Sequence, residues 1–214
     1  MRGLYLVTDR GLCGQKDLKD VILQALRGGV AYVQLRDKEI STRLFFEEAQ
    51  NIKAIMAPFK ALLIINDRID VALAVGADGV HIGQTDMPYA AARKLLGNRA
   101  IVGLSVETWE DVETAQKLDV DYLGVSPVFE TPTKTDTKGC WGLGGLARIK
   151  QFSRHPLVAI GGLNASNAAD AVRAGADCIA VVSAICSALD PLKAARELHD
   201  MIHKAMEDRI LNRH

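Results

Sequence analysis

A regular alternation constrains this chain more than any other feature. Short runs rich in apolar and β-branched residues take turns with amphipathic helical stretches from end to end. The strand candidates are residues 4–8, 31–36, 62–66, 79–82, 100–105, 122–126, 157–161 and 178–183. Several are nearly continuous in apolar side chains, as in Leu62-Leu63-Ile64-Ile65, the pattern of parallel strands covered on both faces. The helix candidates are residues 16–27, 42–56, 69–75, 89–96, 109–118, 143–151, 165–174 and 192–207. Residues 16–27 put Leu18, Val21, Ile22, Ala25 and Leu26 on one face. Eight strands alternating with eight helices leave a closed (β/α)8 barrel or an open doubly wound sheet. The count of eight and a spacing of about 27 residues per unit favour the barrel. No GxGxxG follows the first strand, which weakens a dinucleotide-type open sheet. The reading is therefore an α/β fold, a single-domain (β/α)8 TIM barrel over residues 1–214.

Helix punctuation agrees. Pro88 and Pro191 fit first-turn positions. Ser41, Asn164 and Asp190 suit N-caps, and Gly28, Gly76, Gly97 and Gly175 stand where helices should stop. An internal echo supports equivalent units: Val75-Gly76-Ala77-Asp78 precedes the fourth strand and Ala174-Gly175-Ala176-Asp177 the eighth.

Charge limits the partners. The 26 basic and 26 acidic residues cancel, so the chain lacks the positive field that nucleic acid or an anionic membrane requires. No apolar run exceeds five residues, far short of the roughly 20 needed to span a bilayer. The apolar start is too short for a signal peptide. Cys13, Cys140, Cys178 and Cys186 form no CxxC pair and read as free thiols in a reducing cytoplasm. Absence of finger spacing argues against zinc. Self-association into a homo-oligomer stays open.

In a barrel the chemistry belongs at the C-terminal strand ends. The second strand ends Gln34-Leu35-Arg36-Asp37-Lys38, and alternation puts Gln34, Arg36 and Lys38 on one side. One amide and two cations aimed together match a phosphate or pyrophosphate, unless they are only a solvated strand end. Asn66-Asp67 closes the third strand, and Asp86 follows the fourth. Each aspartate alone could cap a helix; as a pair on adjacent strands they lean to a hard cation such as Mg²⁺. Ser105 and Ser126 could contact a ligand or cap the next helix. No Ser-His-Asp set accompanies them.

Residues 127–142 form a long loop carrying Thr131-Pro132-Thr133-Lys134, a credible anion clamp or an ordinary polar loop. Trp141 fits either a lid or packing on the barrel. Gly161-Gly162 ends the seventh strand and Val182-Ser183 the eighth, where barrels commonly hold phosphate. His81 could face the interior or the helices; His155, His199, His203 and His214 read as surface residues. The spacing thus gives two anion sites, one with a metal, and no convincing general base.

Together these segments resemble the thiamine phosphate synthase (thiamine-phosphate pyrophosphorylase) family. The matches are Leu4-Tyr5-Leu6-Val7-Thr8-Asp9, Gln34-Leu35-Arg36-Asp37-Lys38, Asn66-Asp67-Arg68, His81-Ile82-Gly83-Gln84-Thr85-Asp86-Met87-Pro88, Gly103-Leu104-Ser105 and Tyr122-Leu123-Gly124-Val125-Ser126-Pro127-Val128-Phe129. Thr131-Pro132-Thr133-Lys134, Ala159-Ile160-Gly161-Gly162 and Ala180-Val181-Val182-Ser183 complete them. The resemblance implies a barrel enzyme that joins 4-amino-2-methyl-5-hydroxymethylpyrimidine pyrophosphate to a thiazole phosphate, releasing pyrophosphate. It implies that Gln34, Arg36, Lys38 and Asn66 hold the pyrimidine pyrophosphate, that Lys134 reaches its phosphates, and that Ser105 contacts the same substrate. Thr131, Thr133, Gly162, Val182 and Ser183 would bind the thiazole phosphate, and Asp67 and Asp86 would hold Mg²⁺. Arg36, Lys38, Ser105 and Lys134 are the catalytic candidates. The rivals are a thiazole tautomerase-like isomerase and a non-catalytic barrel that binds thiamine precursors. The former would use a histidine near the end of the sixth strand, where this chain has Gly124-Val125-Ser126-Pro127.

Overall fold

A computed structural model describes residues 1–131 and 139–211. The strands are β1 (Gly3–Val7), β2 (Val30–Leu35), β3 (Leu62–Asn66), β4 (Gly79–Ile82), β5 (Ile101–Val106), β6 (Tyr122–Val125), β7 (Leu157–Ala159) and β8 (Cys178–Val181). Each pairs in parallel with the next, and β1 pairs with β8, so the sheet closes into the expected (β/α)8 barrel. The helices are α1 (Leu18–Arg27), α2 (Thr42–Met56), α3 (Ile69–Val75), α4 (Tyr89–Leu96), α5 (Trp109–Ala115), α6 (Gly142–Phe152), α7 (Ala168–Arg173), α8 (Ser183–Cys186) and α9 (Pro191–Leu211). The single turn of α8, directly off β8, is an element the periodicity does not announce: four residues are too few to show a period.

Two of the three proposed caps hold. Ser41 Oγ accepts from the Leu44 N–H of α2, and Asp190 Oδ1 accepts from the Lys193 N–H, with Pro191 opening α9. Asn164 does not cap a helix. Its Oδ1 accepts from the Ser166 N–H at 2.8 Å, closing a side-chain turn, and α7 begins only at Ala168 behind Asn167. Pro88 lies one residue outside α4, at its N-cap. His155 is also a correction. It is 6% exposed, and its Nε2 lies 3.1 Å from the Ala115 carbonyl. His199 and His203 on α9 are partly and largely exposed as expected, and His214 lies outside the described residues. All four cysteines are free, with Cys13, Cys178 and Cys186 buried and Cys140 exposed. Among the described residues no helix is long and apolar enough to cross a membrane.

Strand alternation divides the core in two. Leu4, Leu6, Val33, Leu35, Leu63 and Ile65 belong to the large layer between sheet and helices. Tyr5, Val7, Ile64, Tyr122, Val158, Cys178 and Ala180 form a separate cluster that fills the barrel. The rings of Tyr122 and His81 fit because glycines face them. Gly103 lies beside Tyr122 in the β5–β6 register, and a Cβ there would sit 2.0 Å from Tyr122 Cζ. A Cβ on Gly124 would come within 2.8 Å of His81 Cε1.

At the N-terminal end three aspartates do equivalent work. Asp78, Asp121 and Asp177 each precede an even-numbered strand. Each accepts from the N–H at or next to the start of the odd strand before it: Leu63, Val102 and Leu157, at 2.8, 2.8 and 3.0 Å. Asp121 also meets Arg93, and Asp177 meets Lys150 and Arg209. The echoed Ala-Asp segments are therefore pins between neighbouring strands.

Gly103→Ala should lower stability by about 1–3 kcal/mol, because Tyr122 is fully buried and cannot step aside. In thermal unfolding this corresponds to roughly 2–4 °C per kcal/mol for a chain of this size. An unchanged midpoint would show that the glycine is not what makes room for the ring.

Candidate active site

The C-terminal ends of the strands surround a cavity of about 370 Å³. Gln34, Arg36 and Lys38 all line it, as alternation along β2 requires. Their backbone is held from both sides. The fully buried Thr8 accepts the Arg36 N–H on its Oγ1 at 3.0 Å, while its own N–H donates to the Gln34 carbonyl at 2.9 Å. Asp37, the intervening residue of opposite parity, ion-pairs with Arg10 at 3.2 Å, and its Oδ1 accepts from the Glu39 N–H. That turn fixes where Lys38 departs from the strand.

Asn66 ends β3 in the cavity wall, and Asp67 follows it with φ of 59°, the one positive φ outside glycine among the described residues. Aspartate tolerates this conformation better than most residues. Hydrogen bonds hold the turn: the Asp67 N–H donates to the His81 carbonyl, and the Arg68 N–H to the Asn66 carbonyl. Asp86 is held by its own bond, its Oδ2 accepting from the Gly83 N–H at 2.7 Å. Both carboxyl groups line the cavity and hydrogen-bond to each other.

Their electrostatics follow from that contact. Burial and the Asp86 carboxyl push Asp67 up to about 6, against the pull of Lys38 Nζ at 3.2 Å. Burial also works against ionisation of Asp86, but the hydrogen bond with Asp67 and the Gly83 N–H outweigh it and hold Asp86 below its ordinary value. The two neighbouring carboxyls thus resist being ionised together, and Asp67 bears the larger part of that cost. Two adjacent oxygen-donor carboxyls at a partly buried site fit a hard divalent cation that takes its other ligands from water and phosphate. Among the described residues no group of three or more His, Cys, Asp and Glu forms a fuller metal cage.

The opposite wall contains Gly161, Gly162, Val182 and Ser183, with Ser126 and Thr131 beside them. The Gly-Gly pair has a structural reason the sequence reading did not give. Gly161 and Gly162 have φ of 100° and 64°, and a Cβ on either would come within 2.6 Å of Pro127 Cβ or the Glu130 carbonyl. The glycines let residues 127–130 lie directly on the segment that leaves β7 (Val128 N–H to Ile160 carbonyl, 2.9 Å). Ser183 opens α8, whose first N–H groups have no partner within the helix. Thr133 and Lys134 lie outside the described residues. Trp141 packs on Gly145 and donates to the Val106 carbonyl at 3.4 Å, which is the packing alternative and not the lid.

Between the walls lies a polar chain that the sequence reading did not assemble. Gln34 Nε2 donates to Tyr5 Oη at 2.9 Å, and Tyr5 Oη is 3.1 Å from Tyr122 Oη. Tyr122 Oη is 2.9 Å from His81 Nδ1, and His81 Nε2 is 2.8 Å from Ser105 Oγ. His81 therefore faces the interior. The signal was available: Gly79, His81 and Gly83 share one parity, and a large polar residue between inward glycines is best placed inside a barrel. Glu107 and Asp111 also line the cavity and were not singled out.

Comparison with known proteins agrees with this geometry. The family model described as thiamine monophosphate synthase matches residues 4–185. A thiamine-phosphate synthase of Leptospira biflexa is 53% identical over 204 residues, covering 94% of this chain and 97% of that one. One of Albidiferax ferrireducens is 54% identical over 199 residues, covering 93% and 91%. The solved thiamine phosphate pyrophosphorylase of Pyrococcus furiosus superposes with a TM-score of 0.88 at 38% identity, over 95% and 96% of the two chains. The chain belongs to the thiamine monophosphate synthase family, and it is an enzyme, a transferase.

Proposed function

We propose that the barrel mouth couples 4-amino-2-methyl-5-hydroxymethylpyrimidine pyrophosphate to 4-methyl-5-(2-hydroxyethyl)thiazole phosphate, yielding thiamine phosphate and pyrophosphate. One observation carries the reading: a cationic strand end, a carboxyl pair and a glycine-lined far wall share a single cavity. Two phosphorylated substrates can then lie side by side, with the leaving group at the cationic end.

In this reading Arg36 and Lys38 bind the pyrophosphate, with Gln34 and Asn66 beside them and Lys134 reaching over from the long loop. Asp67 and Asp86 would hold Mg²⁺, which when bound supplies charge neutralisation to the departing pyrophosphate. Ser105 contacts the pyrimidine. Gly162, Val182 and Ser183, with Thr131 and Thr133, hold the thiazole phosphate near the first turn of α8. The bond between the pyrimidine methylene carbon and oxygen breaks first. The amino group feeds electrons into the ring and stabilises the resulting carbocation. The thiazole nitrogen attacks with its own lone pair, so no general base is required. The walls keep the two reactants aligned and exclude water, which would otherwise capture the cation.

The isomerase and the non-catalytic alternatives draw no support, since the relatives are named synthases. The site uses neither membrane nor nucleic acid, and a chain of this composition suits the cytoplasm.

Three measurements test the reading. Protein, Mg²⁺ and both substrates should form thiamine phosphate and pyrophosphate in equal amounts, and EDTA should abolish both. Binding of both substrates without product would overturn the reaction. Asp67→Asn keeps a side chain that tolerates positive φ while removing the charge. It should cut kcat/KM on the order of 10²-fold or more with little change in thermal midpoint. A Mg²⁺ titration indistinguishable from wild type would refute the metal role. Arg36→Ala should raise KM for the pyrimidine pyrophosphate about tenfold or more and leave that for the thiazole phosphate nearly unchanged. Equal effects on both would mean the two subsites are exchanged.

A further inference from the structure

The chain of five side chains across the barrel has a direction, and the direction follows from hydrogen-bond bookkeeping. It begins at Gln34 Nε2, an amide nitrogen that only donates. Tyr5 Oη accepts from it. Tyr5 is 1% exposed, and among the described residues Tyr122 Oη is the only other polar atom bonded to its hydroxyl. If Tyr122 donated to Tyr5, the Tyr5 proton would be buried without an acceptor, which native interiors avoid. Tyr5 therefore donates to Tyr122. Tyr122, fully buried, in turn has one proton and one remaining partner, His81 Nδ1. Burial pushes both phenols well above their ordinary values, so each keeps its proton.

With Nδ1 accepting, His81 is the neutral imidazole with its proton on Nε2. That proton donates to Ser105 Oγ at 2.8 Å. Ser105 is then occupied as an acceptor, and its own O–H points onward. Ser105 lines the cavity and is only partly exposed. Ring contacts keep the geometry in place: His81 stacks on Tyr122 at 22°, and Tyr122 meets Tyr5 edge-on at 73°. Gly103 and Gly124 leave no slack around either ring.

We propose that Tyr5, Tyr122 and His81 are positioning residues that act through Ser105, fixing it as a hydrogen-bond donor to the substrate and so selecting a heterocycle that presents an acceptor nitrogen there. This rests on the assignment of the pyrimidine substrate to that wall. An aminopyrimidine supplies such a nitrogen in its ring. A ring with an N–H at the same place would meet a donor with a donor, and one with a C–H would leave the Ser105 O–H unpaired, so both are rejected. Tyr5, Tyr122 and His81 thus set specificity through the orientation they give Ser105.

Two experiments decide the matter. In protein labelled with ¹⁵N-histidine, the His81 resonances are identified by their loss in His81→Asn, and they should be those of a neutral ring protonated at Nε2 at pH 7. A ring protonated at Nδ1, or an imidazolium, overturns the direction of the chain. Tyr122→Phe keeps the packing and removes the link. It should raise KM for the pyrimidine pyrophosphate on the order of tenfold, one neutral hydrogen bond's worth, and change KM for the thiazole phosphate by less than about twofold. Tyr5→Phe breaks the chain one link earlier and should act in the same sense, which covers the case of a poorly folded Tyr122 variant. Because the effect passes through Ser105, Tyr122→Phe should add nothing further in a Ser105→Ala background. Equal shifts in both KM values, or additivity with Ser105→Ala, overturn the positioning role. If the wild-type protein makes no thiamine phosphate, the reaction assignment falls, whereas the ¹⁵N result still decides the direction of the chain.

Discussion

A sheet closed on itself has no edge and no second layer to borrow from, so whatever points inward must be packed and hydrogen-bonded by the strands alone. In this barrel that constraint is met by a contrast of sizes. Tyr5 and Tyr122 bring two large rings to the middle of the interior, and Gly103 and Gly124 give up side chains to admit Tyr122 and His81. The polar atoms of those rings are spent on one another, from Gln34 to Ser105. The floor of the site is therefore also the upper core of the barrel, and packing below sets the orientation of the groups above.

The two ends of the barrel divide the work of stability and chemistry. At the N-terminal end Asp78, Asp121 and Asp177 join strand to strand, and two of them bring arginine or lysine into the same cluster. At the other end carboxyls are set against each other. Asp67 sits in a positive-φ turn facing Asp86 and is pushed up to about 6. The same residue type is satisfied at one end and frustrated at the other. Frustration of that kind marks the end where a ligand is received.

Much of this was legible from sequence because both signals are local. Continuous apolar runs such as 62–65 identify interior parallel strands, and polar residues just past them, Gln34, Asn66, Asp67 and Ser105, identify the mouth. What escaped was relational. The parity of His81 becomes evident only when its neighbours across the sheet are known, and the pairing of Tyr5 with Tyr122 spans most of the chain. The Gly-Gly pair looked like a place for backbone to approach a ligand; its φ values and its contact with residues 127–130 show that it first serves loop against strand. His155 looked like a surface residue because it stands at a helix end, yet the Ala115 carbonyl, 40 residues away, draws it in. Asn164 failed as a cap because its side chain closed a turn of its own before any helix began.

Among the described residues, the carboxylate pins of the N-terminal end leave out the first strand pair. Instead α9 closes it. Ala195 and His199 sit where side chains on Gly28 and Gly29 would have been, Arg196 reaches the Arg27 carbonyl, and Lys16 reaches the Ala188 carbonyl just ahead of the helix. The β1–β2 ladder and Thr8 hold this pair to each other, and α9 covers the end that the pins leave out. β2 has its edges covered by β1 and β3, neighbours in sequence, whereas β1 finds its second neighbour only in β8. One seam of the barrel thus depends on residues as far apart as Gly3 and Cys178, while every other seam joins strands consecutive in sequence.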